Sequence, residues 1–173
     1  MNVKRSSPPP GLDAFCRGVY PRLVGAMTIY CGDRGVAEEI AQEALIRVCR
    51  NWSRVHRLDN PAAWVNRVAV NLANSHFRCK ALERRAQARL GSGERTDSDE
   101  YDAVEVRRLV AALPRRERMA LVLRHYLGLP VAETADLMGC PEGTVKRLTH
   151  LAIARLRSQT TDNDGLKEVT DVP

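Results

Sequence analysis

Hydrogen-bonding side chains gather on one side of the last long helix that the sequence predicts, which follows the segment GCPEG. At about 100° per residue, one arc of this helix is apolar and the opposite arc carries donors and small side chains. The members of that outer arc are Gly143, Lys146, Arg147, His150 and Ala154. Cationic and imidazole donors of this kind can bind phosphates and base edges. Thr144 adds a hydroxyl at the helix N-terminus, where backbone N–H groups favour a phosphate.

The elements that would position these donors have the spacing of a helix-turn-helix. A short helix is predicted over residues 131–138, a tight break over 139–143 and a second helix over 144–157. Pro141 or Glu142 is expected to open this last helix, which would end near Ser158. The inward positions of the second helix are expected to be Val145, Leu148, Ala152 and Leu156. A plain pair of antiparallel helices, with no ligand, is the alternative interpretation.

A second polar surface is predicted on the helix that Asn60 caps and Pro61 begins. Its members are Arg67, Asn71, Asn74, Arg78 and Arg85. Arginine can hold phosphates and asparagine can pair with base edges, and the polar loop 56–60 precedes them. Trp64 and Phe77 could stack on an unpaired base. An ordinary solvated face explains the arginines equally well. On its other side, the helix is expected to bury Trp64, Val65, Val68, Ala69 and Leu72.

The helix predicted between Asp33 and Trp52 carries an apolar residue within a polar face. One side, Val36, Ile40, Ala44, Val48 and Trp52, is expected to face a core. The opposite side holds Glu39, Gln42, Glu43, Ile46 and Arg50. An apolar side chain surrounded by hydrogen-bonding groups is typical of the centre of a protein interface, although a single exposed isoleucine is also ordinary.

The chain has 173 residues and a formal net charge of +6, and this charge is distributed unevenly along the sequence. Residues 11–90 and 106–160 each carry +6, whereas residues 91–105 carry −5 and the segment 161–173 carries −3. Segment 91–105 has little apolar content and repels itself, so it is expected to be a flexible linker. Two basic blocks on a tether suggest one polyanion contacted at two places, or two ordinary solvated surfaces.

Every long periodic segment is helical, so an all-α fold of two small helical domains is predicted. The expected organisation is an N-terminal tail 1–11, a first domain 12–90, the acidic linker 91–105, a second domain 106–160 and an acidic tail 161–173. Pro21 is expected to start a new turn rather than lie in the middle of a helix. Asp102 and Glu105 match a capping box, and Pro114 is expected to separate two helices.

Several classes of function are disfavoured by what the sequence contains. The four histidines lie on separate predicted elements, and no phosphate loop, metal cluster or nucleophile motif occurs, so neither an enzyme, a metal site nor a cofactor is expected. Uncharged stretches reach ten residues, half of what a membrane helix of about 20 residues needs. The N-terminus does not resemble a signal peptide, so a cytoplasmic protein is expected. The five cysteines lack a CxxC pair and are expected to be unpaired thiols in helices, with a thiol redox sensor as the alternative.

Three segments together resemble a known family, the extracytoplasmic-function group of bacterial RNA polymerase sigma factors. They are AEEIAQEALIRVCRNW (37–52), NPAAWVNRVAVNLANSHFR (60–78) and LPRRERMALVLRHYLGLPVAETADLMGCPEGTVKRLTHLAIARLR (113–157). Their order and their spacing across an acidic linker are those of the family. The resemblance covers residues 12–158, and it implies a region-two domain followed by a region-four domain.

The resemblance also implies partners and site residues. The polymerase core, through its β′ coiled coil and its β flap, would be one partner, promoter DNA a second and an anti-sigma factor a third. The β′ coiled coil would bind Glu39, Gln42, Glu43, Ile46 and Arg50. The minus-ten element would be opened and recognised by His56, Arg57, Asp59, Asn60, Ala63, Arg67, Asn71, Asn74 and Arg78. The minus-thirty-five element would be recognised by Glu142, Gly143, Thr144, Lys146, Arg147 and His150.

The chain departs from the family pattern directly after GTVK. The family usually has Ser-Arg-Leu there, whereas this chain has Arg147, Leu148 and Thr149, which shifts the arginine by one position. The expected function is promoter-specific initiation of transcription with the polymerase. The alternative is a stand-alone helix-turn-helix regulator, which leaves the surface around Ile46 unexplained.

Overall fold

The chain is helical throughout the part that the computed structural model describes, residues 9–89 and 105–167, with side chains for 9–86 and 108–159. None of these residues forms a β-strand, which confirms the all-α prediction. The chain divides into two compact units that lie within residues 1–96 and 97–173. Most of the predicted acidic linker and the capping-box residue Asp102 lie outside the described residues.

The first unit consists of three helices that pack against one another in pairs. They are α1 (Leu12–Cys31), α2 (Arg34–Val55) and α3 (Pro61–Arg89). Their apolar faces meet in a core that holds Leu23, Ala26, Met27, Tyr30, Ala37, Ala41, Ala44, Val48, Val65, Ala69, Val70 and Ala73. Burial of these side chains is the main term that stabilises the bundle.

The ends of these helices lie where the capping residues predict them. Gly32 has φ 79° and its N–H donates to the carbonyl oxygen of Thr28 at 2.9 Å, which closes α1. Asp33 then accepts the N–H of Val36 at 3.0 Å through Oδ1 and opens α2. Asn60 Oδ1 accepts the N–H of Ala63 at 3.1 Å and opens α3. The predicted starts of both helices are therefore confirmed.

The prediction that Pro21 starts a new turn rather than lying mid-helix is wrong, because α1 runs through it without interruption. Proline removes one backbone hydrogen bond from a helix interior. Residues before and after it, Leu12 and Leu23, are both buried within this one continuous helix. Packing of a long apolar face outweighs the local preference of one exposed proline, since tertiary burial supplies most helical stability.

The buried face of α3 is rotated from the predicted one. Val65 and Ala69 are buried as expected, but Trp64, Val68 and Leu72 are only half-buried. In their place α3 buries Asn66, Val70 and Ala73. Because α3 packs against both α1 and α2, the small and polar side chains between those helices are enclosed. A single helical period cannot distinguish two adjacent contact faces.

The second unit consists of short helices around a long final one. They are α4 (Glu105–Ala112), α5 (Arg115–Leu121), a π-helical turn (Val122–Tyr126), α6 (Val131–Met138) and α7 (Glu142–Lys167). The break at Pro114 is confirmed, whereas α7 continues beyond the predicted end near Ser158. The core contains Val110, Leu113, Met119, Ala120, Leu123, Thr134, Ala135, Leu137, Val145, Leu148 and Ala152.

Three polar links position α7 and the turns around it. The carboxylate of Glu117 on α5, a buried residue, lies 3.0 Å from the Arg155 guanidinium on α7. Arg118 donates to the carbonyl oxygens of Ala111 and Leu113, the latter at 3.1 Å. It therefore supplies hydrogen bonds to backbone carbonyl groups at the C-terminal end of α4. Arg124 donates to the carbonyl oxygen of Leu129, just before α6. These contacts fix the frame of the helix-turn-helix.

Candidate nucleic-acid and protein interfaces

The α2 surface is defined by Glu39, Gln42, Glu43, Ile46 and Arg50. All five side chains are exposed except Glu43, which is half-buried. Ile46 is 44% exposed and is one of three exposed large apolar side chains among the described residues. Its neighbour Glu43 accepts a hydrogen bond from Arg47 Nε at 2.8 Å. An apolar centre with charged and amide neighbours is therefore present on the outside of α2.

The opposite side of α2 holds this surface in place. Ile40, Ala44 and Val48 are buried, as predicted, and Trp52 is half-buried. The Trp52 ring lies 5.3 Å from the Phe15 ring, and its indole N–H donates to the Pro10 carbonyl oxygen at 3.3 Å. Val36, also expected to face the core, is half-buried, and the α2 backbone departs from helical geometry at Asn51. The buried side of α2 therefore holds the α2 surface against the core from Ile40 to Val48.

The loop between α2 and α3 presents polar side chains in a fixed frame. His56, Arg57, Asp59 and Asn60 are all exposed, as the sequence predicts. His56 Nδ1 lies 2.6 Å from the carbonyl oxygen of Trp52, and the two rings are 5.6 Å apart. The side-chain oxygen of Asn60 is occupied by its capping bond. The loop is therefore short and tied at both ends.

The α3 surface continues from this loop with Ala63, Arg67, Asn71, Asn74 and Arg78. Arg67, Asn71 and Arg78 are exposed, and Arg78 donates to Ser75 Oγ at 3.0 Å. These exposed side chains share one outer face of the helix, as the periodicity predicts. Arginine and asparagine there can contact a phosphate chain and base edges at once.

Asn74 differs from the other members of the α3 surface. It is half-buried, and its Oδ1 accepts the hydroxyl hydrogen of Tyr30 at 2.9 Å. Phe77 is also half-buried, with its ring edge-on to Tyr30 at 5.4 Å. Asn74 therefore lies at the boundary between the surface and the core, and it links α3 to α1.

The α7 surface consists of Glu142, Gly143, Thr144, Lys146, Arg147 and His150. All are exposed except Thr144, which is half-buried, while the inward Val145, Leu148 and Ala152 are buried. A Cβ atom added at Gly143 would meet no atom within 4 Å, so nothing in the protein obstructs this end of the helix. The predicted inner positions Val145, Leu148 and Ala152 are confirmed, whereas Leu156, also expected to face inward, is only half-buried.

The turn before α7 has the geometry that its sequence demands. Gly139 has φ 58°, a conformation that favours glycine, and it ends α6. Cys140 N–H donates to the Ala135 carbonyl oxygen at 3.1 Å, and Thr144 N–H donates to that of Pro141 at 2.9 Å. The fully buried Thr134 bonds the Pro130 carbonyl oxygen through its hydroxyl at 2.9 Å. The turn therefore fixes the angle at which α7 leaves α6.

Among the described residues, no three His, Cys, Asp or Glu side chains group together as a metal site would require. Over the same part of the chain, no helix is both long and apolar enough to cross a membrane. The loop before α3, the α3 surface and the α7 surface carry exposed cationic groups, and cations of this kind can bind a polyanionic ligand. They are Arg57, Arg67, Arg78, Lys146 and Arg147.

Family models match both units. Residues 16–83 match the sigma-70 region 2 model, and residues 103–156 match the sigma-70 region 4 model. The RNA polymerase sigma-E factor of Streptomyces avermitilis is 30% identical over 130 residues, which are 74% of this chain and 73% of that protein. The chain belongs to the extracytoplasmic-function group of bacterial RNA polymerase sigma factors.

Further comparisons agree with this membership. The ECF RNA polymerase sigma factor SigL of Mycobacterium tuberculosis is 28% identical over 155 residues, 83% of this chain and 88% of that one. The sigma factor RpoE of Bartonella quintana, solved in complex with the anti-sigma factor NepR, has a TM-score of 0.71 with 19% identity. That likeness covers 86% of this sigma factor and 96% of RpoE, and it shows a shared fold.

A sigma factor directs RNA polymerase to initiate transcription at promoters, and this is the function of the chain. Sigma factors typically act as non-catalytic regulators of the polymerase. Residues 16–83, in the first unit, match sigma-70 region 2. A stand-alone helix-turn-helix regulator would leave this unit unexplained. That alternative is therefore not favoured.

Two residues that support these surfaces were not predicted from the sequence. Arg47 holds Glu43 beside Ile46, and the spacing of four residues on one helix could have revealed that pair. Tyr30 orients Asn74 from another helix, 44 positions away in the sequence. No local pattern in a single sequence predicts such a contact.

Proposed function

We propose that this sigma factor binds the β′ coiled coil of the core polymerase through the α2 surface. The observation that supports this is Ile46, an exposed isoleucine surrounded by Glu39, Gln42, Glu43 and Arg50 on an anchored helix. The apolar centre supplies burial on binding, and the charged rim sets the orientation of the partner.

The loop after α2 and the α3 surface bind the minus-ten element and hold its unpaired strand. Arg57, Arg67 and Arg78 contact phosphates, and the exposed Asn71 contacts a base edge. Asn74 contributes chiefly by keeping α3 in register with α1, because Tyr30 bonds its side-chain oxygen. His56, Asp59, Asn60 and Ala63 shape the loop that meets the displaced bases.

The α7 surface recognises the minus-thirty-five element in the major groove. Lys146, Arg147 and His150 supply the donors, and Gly143 lets the helix end approach the duplex. Thr144 and Glu142 lie at the N-terminus of α7, where contacts to the DNA backbone and to cytosine amino groups are available. The second domain, residues 106–160, also meets the β flap of the polymerase.

The domain assignment follows from these roles. Residues 12–90 form the region-two domain, and residues 106–160 form the region-four domain, with the acidic segment 91–105 as the linker between them. The chain itself carries out no bond chemistry, since RNA synthesis belongs to the polymerase. It acts in the bacterial cytoplasm at the nucleoid, where both of its partners are.

An anti-sigma factor is a further proposed partner. The likeness to the fold of RpoE, solved with the anti-sigma factor NepR, supports this assignment. A protein that covered the α2 surface would prevent polymerase binding and so hold this sigma factor inactive.

Run-off transcription tests the proposed function. Core polymerase is incubated with a genomic promoter library, with and without this sigma factor, and the RNA 5′ ends are sequenced. New discrete start sites that share two upstream elements are the expected result. Specific binding to duplex DNA by the protein alone, with no added start sites, would instead support a stand-alone regulator.

A further inference from the structure

Two of the five cysteines meet in the first unit, where α1 packs against α2. Cys16 is half-buried on α1 and Cys49 is exposed on α2, and both are free thiols. The Cys49 thiol is near enough to the Cys16 thiol to raise its pKa, and the packing of α1 against α2 brings the two residues together. The two residues are far apart in the sequence, so no sequence motif indicates this pair.

Neighbouring contacts fix the register that brings these thiols together. The connection from α1 to α2 is short, so the two helices run in opposite directions. One position before Cys16, the Phe15 ring packs on the Trp52 ring at 5.3 Å. Trp52 follows Cys49 by three positions and is held at its N–H by the Pro10 carbonyl oxygen at 3.3 Å. Aromatic packing and a hydrogen bond therefore hold the thiol pair in place.

The two thiols have different surroundings. Cys49 is exposed and open to a reagent in solution. Burial, followed by the neighbouring Cys49 and Asp13, raises the pKa of the Cys16 thiol above its ordinary value. Cys16 is therefore a protonated thiol at neutral pH, whereas Cys49 is the sulfur that an oxidant reaches first.

We propose that Cys16 and Cys49 form a redox-active dithiol, which a peroxide converts into a disulfide linking α1 to α2. The Cys49 sulfur attacks the O–O bond of hydrogen peroxide, which gives a sulfenic acid and one water. The Cys16 sulfur then attacks the Cys49 sulfur, the S–O bond breaks, a second water leaves and the S–S bond forms. Two electrons pass from the thiols to the peroxide, and the two thiol protons leave in the waters.

This site lies at the edge of the α2 surface. Cys49 directly precedes Arg50 and follows Ile46 by three positions, so it shares that side of the helix. Disulfide formation does not depend on the polymerase-binding role proposed for the α2 surface, and it can be tested without polymerase.

Peptide mapping of the full chain tests the proposal. The reduced protein is treated with hydrogen peroxide, remaining thiols are alkylated, and the tryptic digest is analysed by mass spectrometry. The expected result is the loss of two of five free thiols and a linked species of peptides 6–17 and 48–50 that dithiothreitol abolishes. Failure to form this species, with Cys49 oxidised further to its sulfinic acid, would overturn the proposal.

Serine variants assign the roles of the two sulfurs. In Cys16→Ser, Cys49 is expected to accumulate as a sulfenic acid that a dimedone probe traps, which the wild-type chain does not show. In Cys49→Ser, Cys16 is expected to stay reduced. Cys79→Ser removes another exposed thiol and serves as the matched control, with the linked species unchanged. Equal dimedone labelling of Cys49 in the wild type and in Cys16→Ser would contradict the pairing.

Discussion

The hydroxyl of Tyr30 on α1 donates a hydrogen bond to Oδ1 of Asn74 on α3, over 2.9 Å. Tyr30 is 1% exposed, whereas Asn74 reaches the boundary of the α3 surface. The bond therefore connects the core of the region-two domain to the face proposed to bind the minus-ten element. It sets the rotation of α3 at the position between Asn71 and Arg78.

Tyr30→Phe is expected to destabilise the region-two domain by roughly 0.5 to 1.5 kcal/mol, because it removes one part-buried hydrogen bond and keeps the ring. Urea denaturation, followed by circular dichroism, measures the change. Tyr20→Phe, at a half-buried tyrosine on the same helix, is the control and is expected to have a smaller effect. Equal stability of Tyr30→Phe and wild type would contradict the structural role of this bond.

Glu43→Lys is expected to weaken binding to core polymerase roughly tenfold or more, because it reverses a charge beside Ile46 on the α2 surface. Fluorescence anisotropy of labelled sigma factor with core polymerase measures the affinity. Circular dichroism should show an unchanged fold, since the substitution removes only an exposed ion pair with Arg47.

Asp13→Lys is the matched control for that substitution. It also removes an exposed pair of i, i+4 charges, the one between Asp13 and Arg17, but on α1. Polymerase binding should stay at the wild-type level in this variant. Equal losses in the two variants would show that net charge, rather than the α2 surface, governs the affinity.

Arg147→Ala is expected to lower transcription from promoters with an intact minus-thirty-five element by an amount equivalent to about 1 to 3 kcal/mol, the range for an arginine that contacts a base. Lys146→Ala is expected to weaken binding across sequences and to reduce its salt dependence. Start-site counts over a set of variant promoters, at several salt concentrations, separate the two effects. Arg116→Ala, an exposed arginine on α5, serves as the control, and a matching loss there would remove the assignment to α7.

Asn71→Ala is expected to impair promoter opening, because it removes an exposed side chain that can pair with a base edge of the separated strand. Permanganate reactivity of thymines near the start site measures opening. A promoter with a pre-opened mismatch bubble should restore most of the lost transcription. No rescue on the bubble template would place the defect in polymerase or duplex binding instead.

Local chemistry made several elements predictable from the sequence. Asp33 and Asn60 carry acceptor side chains directly before helices, and Gly139 can adopt the positive φ that ends α6. The apolar period of α7 separated Val145 and Leu148 from the exposed donors. These features depend on neighbours within a few residues, which a single sequence displays directly.

Tertiary contacts account for what the sequence did not predict. Pro21 lies inside α1 because the helix packs on both sides of it. The buried face of α3 includes Asn66 and Val70 because two helices, rather than one, lie against it. The pairing of Cys16 with Cys49 depends on the register of α1 against α2. Such relationships arise only after helices pack, so periodicity within one helix carries no information about them.

Site-specific photocrosslinking within the assembled holoenzyme most directly tests whether the two domains recognise different promoter elements. A photoreactive amino acid replaces Arg67 on the α3 surface in one variant and His150 on the α7 surface in another, and the crosslinked promoter positions are mapped. Crosslinks are expected to the minus-ten element from position 67 and to the minus-thirty-five element from position 150. Crosslinks from both positions to the same element, or none to DNA in a holoenzyme that still transcribes, would contradict this expectation.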